Sequence, residues 1–87
     1  MPEISRFFGI IITMYWDDHN PPHFHAKHGE YSAKFSIDTG ELIDGDLLKR
    51  DLRFVQAWAE LHKDELIYNW KESQKDNPNF INIAPLR

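Results

Sequence analysis

Two adjacent prolines, Pro21 and Pro22, sit inside the densest run of titratable residues in this 87-residue chain, Asp17-Asp18-His19-Asn20-Pro21-Pro22-His23-Phe24-His25-Ala26-Lys27-His28. Each proline fixes its own φ, lacks an N–H and disfavours the α region for the residue before it, so no helix crosses this point. The chain is expected to turn here and leave as a strand. Side chains alternate along a strand, which places His23 and His25 on one side and Phe24 and Ala26 on the other. Two imidazoles then stand next to a rigid turn bearing Asp17, Asp18 and His19.

The flanking patterns set the fold. Ile10-Ile11-Ile12-Thr13-Met14-Tyr15-Trp16 is β-branched and aromatic, apolar on both faces, and reads as a strand inside a sheet. The residues before Gly9 can form a short strand of their own. Gly29-Glu30 reads as the tight turn of a hairpin, because Tyr31, Ala33, Phe35 and Ile37 alternate with Ser32, Lys34 and Ser36 in the period of a half-buried strand. Leu42-Ile43 is a further short strand, Asp44-Gly45-Asp46 a break, and Asp46 an N-cap candidate. From Leu47 the period becomes helical: Leu48, Leu52, Val55, Ala59, Leu66 and Trp70 share one stripe, with His62 inside it. The expected fold is a single α+β domain over residues 1–87. It has an antiparallel sheet of four or five strands (about 4–44), one long C-terminal helix (about 47–73) and an extended tail (78–87) that docks.

Composition excludes several classes. With no cysteine there is no disulfide framework and no thiolate metal site. A net charge of -4 argues against broad phosphate-driven binding of nucleic acid, though not against a local site. No apolar run reaches membrane-spanning length, and no signal-like segment opens the chain, so a cytoplasmic protein with no membrane partner is expected.

Four stretches together are recognisable: Pro2-Glu3-Ile4-Ser5-Arg6-Phe7-Phe8-Gly9-Ile10, the core Asp18-His19-Asn20-Pro21-Pro22-His23-Phe24-His25-Ala26, Trp58-Ala59-Glu60-Leu61-His62-Lys63-Asp64-Glu65-Leu66 with Asn69-Trp70, and Ile83-Ala84-Pro85-Leu86. They resemble a small prokaryotic family catalogued as domain of unknown function 4160, over essentially the whole chain. The resemblance implies a genomic setting rather than a chemistry. Members often lie beside a small protein of another uncharacterised family, domain of unknown function 2442, in an arrangement that looks like a toxin-antitoxin pair.

The residues themselves allow several functions. In one, His19, His23 and His25 are acid-base groups of a ribonuclease-like toxin that needs no cofactor, with Arg6, Lys27 or Lys34 holding phosphate and His62 as an outlying partner. In a second, His23 and His25 bind a divalent metal with His19, Asp17 or Asp18. In a third the histidines are structural: His19 and His23 bond backbone at the turn, and His25 is a half-exposed strand residue. His28 reads as a turn residue outside any site. The run of three alternating histidines found in histidine-triad nucleotide enzymes is not matched, because His28 falls at odd spacing. A non-catalytic binding or regulatory partner protein is the alternative class, pairing through a sheet edge. The favoured expectation is a toxin-like component acting on RNA through the histidine cluster. In that reading His23 is partly exposed, and its replacement by alanine leaves folding nearly intact.

Overall fold

The computed structural model describes residues 3–87; Met1 and Pro2, which the single-domain reading includes, lie outside them. Five strands, β1 (Glu3–Phe7), β2 (Ile10–Thr13), β3 (His23–His28), β4 (Tyr31–Ser36) and β5 (Leu42–Asp46), each pair antiparallel with the next. The order across the sheet is therefore the order in the chain. Local connections of this kind follow from short turns: Gly29, at φ 61°, lets His28 and Tyr31 pair directly across a two-residue loop.

Alternation decides which face is buried. Ile10, Ile12 and Met14, then Phe24 and Ala26, then Ala33, Phe35 and Ile37 are all buried on one face of the sheet. Phe24 and Phe35 stack at 5.5 Å, and the Trp58 ring meets Phe24 edge-on at 5.7 Å and Phe7 at 5.4 Å. These aromatics give a short chain its packed centre, through large buried areas per residue. The other face carries Ile11, Thr13, His25, Lys27 and Lys34, which are half-buried or exposed.

Two helices cover the apolar face, where one long helix was expected: α1 (Lys49–Leu61) and α2 (Lys63–Ser73). The break is a single residue, His62, at φ -117° and ψ 26°. Its N–H still bonds the Trp58 carbonyl at 3.0 Å and its carbonyl accepts from Leu66 N–H at 3.0 Å. The buried stripe Val55, Trp58, Ala59, Leu66 and Trp70 accordingly runs through the break without a change of period. Neither proline nor glycine marks it, so periodicity alone does not reveal it.

The start of α1 also differs from expectation. Asp46 is the last residue of β5, paired with Ser32, and the N-cap is Leu48, without a side-chain cap bond. Pairing continues through the anticipated break because of Gly45. It sits at φ 84° against β4, where a Cβ would lie 2.2 Å from the Ser32 carbonyl oxygen.

The tail docks along β1. Ile83 N–H bonds the Ile4 carbonyl at 2.7 Å, the Asn69 side chain bonds both the N–H and the carbonyl of Ile81 at 2.9 Å, and the Trp58 indole N–H bonds the Ala84 carbonyl. Asn69 is fully buried, and these two bonds are what make its burial tolerable. Among the described residues no helix is long and apolar enough to cross a membrane.

Candidate functional site

The loop between β2 and β3 is positioned by the far end of α2. A helix leaves its last carbonyls without intrahelical partners. Here the Asp17 N–H bonds the Ser73 carbonyl at 2.8 Å and the Trp16 indole N–H bonds the Lys75 carbonyl at 2.8 Å. Gln74 Nε2 in turn bonds the Asp18 carbonyl at 3.2 Å. Asp17 takes a positive φ of 57° in this connection and its side chain is exposed. The next residue, Asp18, is thereby turned towards the start of β3.

Three side chains converge there. His23 Nε2 lies 2.8 Å from Asp18 Oδ2, and His25 Nε2 lies 3.3 Å from the same oxygen. The other carboxylate oxygen, Oδ1, accepts from the His19 backbone N–H at 2.9 Å. The other nitrogen of His23, Nδ1, lies 2.7 Å from the Pro21 carbonyl oxygen. The Pro-Pro turn, entered through a cis Asn20-Pro21 peptide, thus orients His23 through its own backbone. His23 is sealed at 2% exposure, with the Trp70 ring packed 5.3 Å away and the His25 ring 5.1 Å away. His25 is half-buried, and the Tyr15 ring meets it edge-on at 4.6 Å.

Electrostatics separate the two ionisable groups that face each other. Burial alone would raise the Asp18 carboxyl, but the bonds from the His19 N–H, His25 and His23 outweigh it and hold Asp18 below the ordinary carboxylate value. Burial is the main cause that lowers the His25 imidazole below its ordinary value, with His23 and Lys34 adding to it and Asp18 opposing. At neutral pH Asp18 is therefore a carboxylate and His25 a neutral imidazole.

On the open face of the sheet a groove of about 610 Å³ runs past His25, bounded by Glu3, Ile11, Thr13, Tyr15, Lys27 and Ser32 among others. A smaller recess of about 140 Å³ on the other side of His25 is bordered by Lys34 and Asp44. His23 and Asp18 border neither.

The family model described as Domain of unknown function (DUF4160) matches residues 9–71, most of the chain and all of this cluster. The chain belongs to that family. No curated protein and no solved structure matches it. Within this DUF4160 chain, then, Asp18, His23 and His25 are brought together by the fold, and other residues singled out in the sequence are not. His19 joins only through its backbone N–H, with its side chain exposed. Arg6 is engaged by Glu3 at 2.6 Å on the outer strand. Lys27 and Lys34 flank His25 on β3 and β4, the latter directly opposite it in register. His62 bonds Glu65 at 2.6 Å and packs on Trp58, apart from the cluster.

Two further contacts escaped the sequence reading. His28 Nδ1 bonds Asp51 Oδ2 at 2.7 Å, and Asp51 is fully buried in the first turn of α1. The signal was present, since Asp51 lies four residues before Val55 and seven before Trp58, a carboxylate on the buried stripe. Tyr15, which packs on His25, follows Ile11 and Thr13 in the outward-facing positions of β2 and its extension. Its place beside the histidines was readable only once the pairing of β2 with β3 was known.

Proposed function

We propose that this DUF4160 protein is the toxin-like half of a prokaryotic two-gene module and acts on RNA in the cytoplasm, with Asp18, His23 and His25 as its reactive centre. One observation carries the reading. His25 alone in the cluster borders both Asp18 and the open groove, its side chain 24% exposed against 2% for His23. A neutral imidazole beside an ionised carboxylate is equipped to help move a proton near neutral pH. In RNA that proton sits on the 2′-hydroxyl. As the centre takes it, the 2′-oxygen bonds to phosphorus, the bond from phosphorus to the 5′-oxygen breaks, and water protonates the departing oxygen. The products are a 2′,3′-cyclic phosphate and a 5′-hydroxyl. Lys27 and Lys34, on either side of His25, offset charge on the phosphate. The two-imidazole scheme, with one histidine as base and another as acid, is poorly supported because His23 is sealed behind Asp18 and Trp70.

The test is bacterial growth under tightly induced expression, wild type beside His25→Gln, with the ends of any RNA fragments made by the purified proteins determined. Arrest by the wild type, its relief in the folded variant and 2′,3′-cyclic ends support the proposal. Normal growth together with intact RNA would sink it. The binding-protein alternative would then lead, and edge strand β5 favours it by leaving Leu42 and Ile43 39% and 42% exposed. The partner in either case is proposed to be a small protein resembling domain of unknown function 2442, and co-purification tests that.

A further inference from the structure

We infer that Asp18, His23 and His25 bind a divalent ion of the first transition series, zinc included, through Oδ2, Nε2 and Nε2. The inference deepens the reading of this cluster as a reactive centre and rests on it only for the use made of the ion.

Hydrogen-bond parity is the first argument. A carbonyl oxygen only accepts, so His23 must place a proton on Nδ1 to satisfy Pro21 at 2.7 Å. In a neutral ring Nε2 is then a bare lone pair, and it confronts a carboxylate oxygen at 2.8 Å. Two acceptors at that separation need something positive between them. Either a second proton or a metal ion meets the requirement.

Geometry favours the ion. The three donor atoms lie within 4.8 Å of one another, with Oδ2 at 2.8 and 3.3 Å from the two nitrogens. Donors at about 2.0–2.2 Å from one ion, set at tetrahedral to octahedral angles, stand about 2.8–3.6 Å apart, a range that the two Oδ2 distances meet. Protons alone need one on His23 Nε2 for the 2.8 Å contact and another on His25 Nε2 for the 3.3 Å contact, whereas a single ion between the three atoms accounts for both, with each Nε2 as a lone pair.

The surroundings are those of a ligand set. Metal-bound histidines characteristically donate their second N–H to a backbone carbonyl or a carboxylate, as His23 does to Pro21. Asp18 is held in the same way, its Oδ1 occupied by the His19 N–H and its Oδ2 left for the ion. Trp70 and Tyr15 pack against the two imidazoles and restrict water at their edges. Two imidazoles and one carboxylate, without sulfur, suit zinc, cobalt, nickel, iron(II) or manganese better than copper(I), calcium or magnesium. Three protein donors leave coordination positions free, the arrangement of reactive rather than purely structural centres. An ion there would acidify the water it binds and so supply the proton acceptor that the RNA reaction needs.

The experiment uses the full chain, stripped with chelator and titrated with cobalt(II) while its visible absorption is followed, then with zinc(II) by calorimetry. The expected result is about one ion per chain, a cobalt spectrum of low-coordinate N/O type, and binding weakened by about tenfold or more in both Asp18→Asn and His25→Gln. His62→Gln, outside the cluster, is expected to bind as the wild type does. Absence of the cobalt spectrum, or equal binding by the two cluster variants and the wild type, overturns the metal site and leaves protons on both Nε2 atoms, of His23 and of His25, as the explanation. These readouts are independent of RNA. Metal bound tightly by a protein that leaves RNA intact retains the site and removes the RNA reading, whereas cleavage undiminished by chelator, without cobalt binding, does the reverse.

Discussion

At the scale of single residues, His23 and His25 are neighbours of the same type with opposite roles. The sequence expectation of a partly exposed His23 is overturned, since the ring is buried, bonded at both nitrogens and packed on Trp70. Alternation along β3 places it correctly on the face away from Phe24, but it cannot tell that a loop will close over that face. The closure depends on Trp16 and Asp17 bonding the end of α2, contacts that span more than fifty residues of sequence. His23→Ala should therefore lower stability by about 2–4 kcal/mol, because it leaves a cavity and strips Asp18 of a partner. His25→Ala, which removes a longer bond from a half-buried ring, should cost under about 1 kcal/mol. In a domain of this size the first change lowers Tm by about 10 °C or more and the second by only a few degrees. Equal shifts in thermal melts of the two variants would show that the loop does not seal His23. The same contrast is why His25, not His23, is the position to change when activity is tested.

At the scale of elements, what was readable in advance was whatever a local period or a turn residue encodes. The hairpin at Gly29, the strand from Tyr31 and the apolar stripe of the helical region are all of that kind. What was not readable is where a bond rather than a period decides the outcome: the one-residue break at His62, and the His28–Asp51 pair joining β3 to the first turn of α1. The end of α2 is a third case. Glu72 is buried there, accepting from Lys75 and, at 3.0 Å, from the Asn79 N–H, so one carboxylate fastens the helix end to the start of the tail. The Lys75 bond first, and the Asn79 bond second, lower its pKa below the ordinary 4.5. With the folded value below the unfolded one, this stabilisation is fully present above the unfolded value and is lost as pH falls through the folded value. Tm should thus drop less between neutral and acid pH in Glu72→Gln than in the wild type. The amide can keep the Asn79 bond through its oxygen while having no charge to lose. Parallel Tm profiles for the two proteins would mean that Glu72 has the same pKa folded and unfolded.

At the scale of the whole molecule the two faces of the sheet have different fates. Helices and tail cover the apolar face, while the other face keeps His25, Lys27 and Lys34 beside a groove and a recess. A chain of net charge -4 is a poor general ligand for a polyanion, so any RNA bound as proposed must be held by local cations, and Lys27 and Lys34 are the ones beside the histidine cluster. Each phosphate contact made by a lysine contributes to the salt dependence of binding, about 0.7 in the slope of log K against log salt for a single strand. Lys27→Ala should reduce that slope by about this amount, weakening binding at low salt more than at high salt. Lys71→Ala, beside a cleft between α2 and the Pro21-Pro22 turn, should leave the slope unchanged. Fluorescence anisotropy of a short labelled RNA, titrated at several salt concentrations with His25→Gln protein to prevent turnover, measures both. A slope that falls for Lys71→Ala and not for Lys27→Ala would put the RNA on the helical side and detach it from the histidine cluster. A fall for Lys27→Ala alone places the phosphate within reach of His25, where the chemistry proposed for the open face requires it.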